Sequence, residues 1–296
     1  MSQRDAASRD VRRPLAPEDL AHFRWLDELA LSPRGDRLAY TVRSVDVDQN
    51  GYRVRAYLRD LHAGTVEALS PATGQAGNLV WTRDGATLAF THAEAGAHAL
   101  HLLGEGGRRS LPLGEIGMAQ LAFSSDGALL AGVRWIRRRD PRDVGPRPGI
   151  PAPTIKVVRR LRYKQDGIGW VHDRYAQIVT LDVRTGDVSQ VTDSECDFSE
   201  PAWSEHGHLL AFVGMGREQD VALGQGQLFV ADLAAPGVGP RRLLPDWIGA
   251  CRSPQWGDGD RAVAFAGHEH PAPTNRRIFM QVCLADVAAG TAKALA

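Results

Sequence analysis

Five stretches of the chain align on one pattern: LSPRGDRLAY from Leu31, WTRDGATLAF from Trp81, FSSDGALLAG from Phe123, WSEHGHLLAF from Trp203 and WGDGDRAVAF from Trp256. Each sets an apolar or aromatic residue before a polar turn and follows the turn with a short apolar run, which is how a hairpin within a buried sheet is written. Gly35, Gly85, Gly127 and Gly207 share one turn position, where the missing Cβ permits positive φ. In the fifth copy Asp260 holds that slot with Gly259 one residue earlier, so the register of the last repeat is slightly altered. From position 35 to 85, 127, 207 and 260 the steps are 50, 42, 80 and 53 residues, and the third unit therefore carries an insertion of about one further period.

A second motif follows most copies: YLRDLHAG ending at Gly64, VTLDVRTG at Gly186, FVADLAAPG at Gly237 and CLADVAAG at Gly290. It supplies a third strand and a turn in which Asp60, Asp182, Asp232 and Asp286 can accept nearby backbone N–H groups. The second repeat is degenerate here and reads HLLGEGG. A fourth short strand closes the unit in VEALS, VSQVT and AKALA. Four antiparallel strands per repeat make a propeller blade. A lone blade leaves its faces uncovered and its edges unpaired, and radial packing against neighbours covers the faces.

The predicted architecture is all-β: a β-propeller of about five four-stranded blades with a short N-terminal helix. Residues 1–14 are expected to be a disordered tail, 15–27 a helix and 28–296 a partial propeller. The blades are expected at 28–70, 78–113, 119–192, 200–244 and 253–296, with the insertion at 134–175. The helix rests on Pro17 at a first turn, Glu18 and Asp19 near its positive end, and apolar Leu20, Phe23 and Leu26.

Composition narrows the function classes. Lys and Arg number 35 against 35 Asp and Glu, so no net field draws the chain to nucleic acid or anionic lipid. The N-terminus lacks a signal-peptide core and no stretch approaches a membrane span, so a cytoplasmic location is expected. Cys196, Cys251 and Cys283 form no CxxC pair and read as buried free thiols.

The stretch LAPEDLAHFRWLDELALSPRGDRLAYTV from Leu15 resembles the opening of prolyl oligopeptidase family propellers, with the acylaminoacyl-peptidase branch nearest. RLRYKQDGIGWVHDRYAQIVTLDVRTG from Arg160 is similar to that branch's Tyr-Lys-x-Asp-Gly-x-Gly-aromatic segment, matched by Tyr163, Lys164, Asp166, Gly167, Gly169 and Trp170. The repeats alone would also suit the propellers of Tol-associated proteins. The resemblance implies a propeller of typically seven blades joined to a C-terminal α/β-hydrolase domain that cleaves short peptides or acylated N-termini. The chain reaches Ala296 about two blades short of that pattern, which reads as a truncated product, a fragment or a partial frame.

A nucleophile elbow needs G-x-S-x-G, and no such pentapeptide occurs. Ser32, Ser124 and Ser204 fall in blade turns, where a hydroxyl bonds local backbone, so no catalytic residue is assigned and the chain alone is expected to be inactive. By the resemblance, Arg160, Arg162, Tyr163 and Asp166 in the insertion could meet substrate or the hydrolase domain; a structural hairpin extension is the plainer reading. The Arg-rich run that includes Arg137, Arg138 and Arg139 has only Trp135 and Tyr163 interleaved, too few rings for a single-strand stacking platform. His268 and His270, and His206 and His208, lack a third ligand, so no metal is expected. No glycine-rich segment has a strand-turn-helix setting, so no cofactor is expected. The expected function is peptide gating and selection for a hydrolase domain; the alternative is a free-standing propeller that binds a protein or peptide.

Overall fold

The computed structural model describes residues 13–138, 158, 163–166, 169–171, 174–215, 226–235, 237–269 and 279–295. Its strands form five four-stranded antiparallel units in chain order, the repeat read from the sequence. Blade 1 is β1 (Arg24–Leu31), β2 (Arg37–Asp46), β3 (Gly51–Asp60) and β4 (Val66–Ala68). Blade 2 is β5 (Gln75–Trp81), β6 (Leu88–Glu94), β7 (Ala97–Gly104) and β8 (Gly107–Gly114). Blade 3 begins with β9 (Ala119–Phe123) and β10 (Leu129–Arg137). Next come β11 (Lys164–Gln165) and β12 (Gly169–Trp170), a separate two-stranded hairpin, and the blade resumes with β13 (Arg174–Asp182) and β14 (Val188–Gln190). Blade 4 is β15 (Asp197–Trp203), β16 (Leu209–Met215), β17 (Gly226–Asp232) and β18 (Arg241–Arg242). Blade 5 is β19 (Ala250–Gly257), β20 (Ala262–His268), β21 (Gln281–Asp286) and β22 (Thr291–Ala294). One parallel bridge, Val54 to Gln75, also ties blade 1 to blade 2.

Apolar side chains collect between successive blades rather than within them. Ala39, Ala56 and Leu69 of blade 1 pack with Trp81, Leu88 and Phe90 of blade 2. Leu100, Leu102 and Leu111 meet Leu130, Val179 and Leu181 across the next junction. Ile178 and Ala131 meet Phe198, Leu210 and Phe212 across the third. Leu228, Val230 and Leu243 meet Val263, Phe265 and Cys283 across the fourth. Burial of a Leu- or Phe-sized side chain contributes roughly 1.5–3 kcal/mol, so each blade's stability depends on its neighbours.

The turn chemistry follows the sequence. Asp60 Oδ1 accepts the N–H groups of His62 and Ala63, Asp182 those of Arg184 and Thr185, and Asp286 those of Ala288 and Ala289. The degenerate second repeat still makes its hairpin, with Gly104 opposite Gly107 across a two-residue turn. Ser124 is buried; its Oγ donates to Asp126 at 2.6 Å and accepts the Leu129 N–H at 2.9 Å. Ser204 Oγ likewise accepts the Leu209 N–H. These hydroxyls close turns.

Two boundaries differ from the sequence reading. The segment expected as a helix over 15–27 is a 3-10 stretch, Pro17–His22, and the chain turns extended at Phe23. The apolar spacing of Leu20, Phe23 and Leu26 fits a helix face, but antiparallel pairing of Arg24, Trp25 and Leu26 with β2 takes those residues into the sheet. The insertion expected from 134 to 175 is narrower at its base, because cross-strand pairs between β10 and β13 continue to Arg137 opposite Arg174. Cys251 and Cys283 are buried free thiols and Cys196 is half-buried, and burial pushes the Cys251 thiol up to about 12. No helix among the described residues is long and apolar enough to cross a membrane.

Candidate functional site

The first strand of every blade breaks register at the same place, three residues before the motif aromatic, and the side chains there are Glu28, Asn78, Gln120, Glu200 and Ser253. Asn78, Gln120, Glu200 and Ser253 have φ between 51° and 58°, the conformation that a β-bulge imposes on its extra residue. Each bulge after the first turns a backbone N–H toward the preceding blade, whose own bulge side chain accepts it. Glu28 Oε2 accepts the Leu79 N–H at 3.0 Å, Asn78 Oδ1 that of Gln120 at 2.9 Å, Gln120 Oε1 that of Glu200 at 2.6 Å, and Glu200 Oε2 that of Ser253. A polar relay therefore runs along the first strands through all five blades. The sequence reading missed it. Its signal, a side-chain oxygen at the same offset in every copy, becomes visible once the repeats are aligned.

The relay borders an open cleft of about 860 Å³ lined by residues of blades 1, 2 and 3. That volume lies in the range of small-molecule pockets, roughly 300–1,000 Å³. Blade 1 contributes Glu28 and the Asp27–Arg43 ion pair, 2.6 Å between Oδ2 and Nη2. Blade 2 contributes Asn78, whose Nδ2 donates to Thr91 Oγ1 at 2.8 Å, and His98. The connection between blades 2 and 3 contributes Glu115, and blade 3 contributes Trp135, Arg137 and Arg174. A Cβ on Gly117 would stand 2.6 Å from His98 Nδ1, so the wall can approach the imidazole only as glycine. Arg134 Nη2 donates to the carbonyls of Leu113 and Ile116 and fixes the connection that forms the floor.

Because Arg137 and Arg174 are the last paired residues of β10 and β13, the insertion leaves the sheet from the wall of this cleft. Like charges directly opposite on adjacent strands disfavour the sheet; here they place two guanidinium groups in the lining. Of the insertion residues singled out by sequence, Tyr163 and Asp166 lie on the small β11–β12 hairpin, and both are exposed. The Tyr163 ring lies 5.5 Å from that of Trp170. Neither residue lines the cleft, and Arg160 and Arg162 lie outside the described residues. His206 is bound to Asp260, and its ring centroid is 6.5 Å from that of His208; His270 lies outside the described residues. Among the described residues no group of three or more His, Cys, Asp or Glu side chains could hold a metal.

No family model matches the chain. An uncharacterized peptidase of Bacillus subtilis (strain 168), YuxL, is 24% identical over 215 residues, which cover 72% of this chain and 33% of YuxL. The acylaminoacyl peptidase of Pyrococcus horikoshii superposes with a TM-score of 0.65 at 14% identity, over 93% of this chain and 39% of the peptidase. A putative TolB from Agrobacterium tumefaciens superposes at 0.54 with 17% identity, over 91% of this chain and 80% of TolB. The chain thus spans about a third of the length of the curated relative it matches. These likenesses show the fold: the chain resembles the N-terminal propeller of acylaminoacyl and prolyl peptidases, an architecture shared with TolB.

Proposed function

We propose that this chain is the propeller portion of an acylaminoacyl-peptidase-like serine peptidase, admitting and selecting short or acylated peptides for an α/β-hydrolase domain outside these 296 residues. The observation that carries the reading is the cleft of about 860 Å³ with the base of the insertion in its wall. A peptide offers backbone N–H and C=O groups together with a charged or acylated end. The lining offers an acceptor in the second carboxylate oxygen of Glu28, cations in Arg43, Arg137 and Arg174, and the half-buried indole of Trp135. A cleft of about 860 Å³ has no room for a folded protein, and selection of this kind needs no bond-breaking group in the propeller. Tyr163 and Asp166, displayed on the hairpin beyond the cleft, would face the hydrolase domain or an arriving peptide.

Calorimetric titration of the chain with N-acetylated tripeptides to pentapeptides is expected to give saturable binding that Arg137→Ala and Arg174→Ala weaken several-fold, with no turnover of chromogenic acyl-amino-acid substrates. Binding that is absent, or that ignores both substitutions, overturns the reading. The second reading, a free-standing propeller that binds a protein or peptide partner, is favoured by the match over four-fifths of the TolB chain's length. Under it, short peptides fail and a folded partner binds one rim.

A further inference from the structure

Alignment of the repeats singles out one ring at the rim of the cleft. Trp25 stands six residues before the motif position of its blade, and the equivalent residues of blades 2 to 5 are Gln75, Gly117, Asp197 and Ala250. Gln75 and Gly117 line the cleft, so the position belongs to its rim, and only blade 1 fills it with an aromatic side chain. Trp25 pairs across the sheet with Arg43. Residues opposite each other, or two apart on one strand, share a face, so Trp25, Arg43, Val54 and Tyr52 lie on the side of blade 1 that also carries Ala39 and Ala56. Those two alanines pack against blade 2. The rings therefore stand on the side of the blade that blade 2 and the cleft occupy, not on its other face. Tyr52 is held out there because the β2–β3 hairpin closes on Asp46 and Gly51, two residues further past the motif position than the blade 2 hairpin, which closes on Glu94 and Ala97.

Phe23, Trp25 and Tyr52 make a chain of edge-to-face rings, with centroids 5.9 Å and 6.2 Å apart and planes at 80° and 77°. All three are exposed, Trp25 at 36% and Tyr52 at 50%. Arg43 joins the chain to the cleft: its guanidinium lies 5.5 Å from the Tyr52 centroid and 2.6 Å from Asp27 Oδ2, and both Arg43 and Asp27 line the cleft. Rings packed edge to face leave ring surface open, on which a further ring can settle at roughly 4.5–7 Å between centroids. A Lys or Arg side chain fits less well, because Arg43 already lies over the Tyr52 ring and its like charge opposes a second cation.

We propose that Trp25 and Tyr52 make the cleft selective for peptides that carry an aromatic side chain: the peptide backbone lies in the cleft beside Arg43 and the ring packs on the Trp25–Tyr52 shelf. This rests on the reading of the cleft as a peptide site and adds the class of side chain that the site prefers.

The test is calorimetric titration with N-acetylated tetra-alanine amides in which each position in turn carries phenylalanine, cyclohexylalanine or leucine. Cyclohexylalanine keeps the bulk of the ring and lacks its quadrupole. At the best position the phenylalanine peptide is expected to bind roughly three- to tenfold tighter than the other two. Trp25→Leu and Tyr52→Leu should each bring that ratio toward one, whereas Tyr40→Leu, on the other face of the same sheet, leaves it unchanged. If circular dichroism shows one shelf variant to be unfolded, the other decides. Equal affinities for the three peptides, with binding still weakened by Arg137→Ala, overturn the shelf and leave the cleft reading standing. A preference for phenylalanine that survives both shelf substitutions also overturns it, since the ring is then read elsewhere. No binding by any peptide overturns the cleft reading, and the shelf falls with it.

Discussion

Asp260 shows what one residue can do in a repeat. In the interior turns the aligned glycine is crowded by the preceding blade: a Cβ on Gly207 would stand 2.9 Å from Ser125 Oγ, and one on Gly85 3.0 Å from Ser32 Oγ. Asp260 keeps the turn conformation, φ 68°, and reaches across to blade 4, where its carboxylate accepts the N–H groups of Glu205 and His206 and bonds His206 Nδ1. The sequence revealed the altered register. It did not reveal the clasp, because the partners are two backbone groups 55 and 54 positions away. Asp260→Gly preserves the turn and deletes the clasp, and is expected to cost about 1–3 kcal/mol in a urea titration. Burial pushes this carboxyl up, but the bonds from His206 and Glu205 outweigh it and hold it below the ordinary 3.8. A depressed acid stabilises the fold above its unfolded value and loses that effect as pH falls through the folded one. The wild-type advantage over Asp260→Gly should therefore vanish only below about pH 3.8. His101 acts in a higher window. Burial, then Arg108 and His92, push it down from 6.5 to about 4. The unfolded chain takes up this proton first, so stability falls as pH drops from 6.5 to about 4. His101→Gln, which can keep a bond to Ser110 Oγ, should flatten the denaturant midpoint across that window.

At the scale of the element, strand order and turn chemistry were legible because they repeat, whereas the contacts between blades were only half legible. Recurring tryptophans point to packing. The structure adds that Trp81, Trp203 and Trp256 donate Nε1–H to the carbonyls of Ala30, Ala122 and Ala202, in each case the residue before the motif aromatic of the preceding blade. Phe123 holds the same position in blade 3 and has no such donor, and there the junction is bridged by Asn78, which accepts the Gln120 N–H. Trp203→Phe keeps most of the ring and loses the bond, an expected cost of about 1 kcal/mol, whereas Trp203→Ala also opens the junction and should cost about 3–5 kcal/mol. Equal losses in the two variants would show that the indole N–H rather than the ring carries the junction. The relay at the bulges stayed hidden because a polar residue in a strand reads as solvent-facing, and hydrophobic patterning has no symbol for a side chain bonded to the next sheet. The helix expected over 15–27 failed for a related reason: a spacing of three apolar residues suits either state, and the choice belonged to β2, which pairs with Arg24–Leu31 from outside the local window.

At the scale of the whole molecule, five blades separated by four apolar junctions form a nearly one-dimensional array, in which each blade is held by its immediate neighbours. Among the described residues, blades 2, 3 and 4 pack on both faces and blades 1 and 5 on one. The blade count could be read from the sequence, because the motif aromatic and the turn after it recur once in every unit. Opening an end blade exposes one junction, and opening an interior blade exposes two, each worth several buried Leu- or Phe-sized side chains at roughly 1.5–3 kcal/mol apiece. Local opening should therefore begin at the ends. In dilute solution, hydrogen exchange is expected to be slowest at β10, β13 and β16, where Leu130, Ile178 and Phe212 are fully buried, and fastest at β1 and β21. Uniform protection across the five blades would mean that the chain opens as one cooperative unit, and neighbour-by-neighbour coupling would then be the wrong account of its stability.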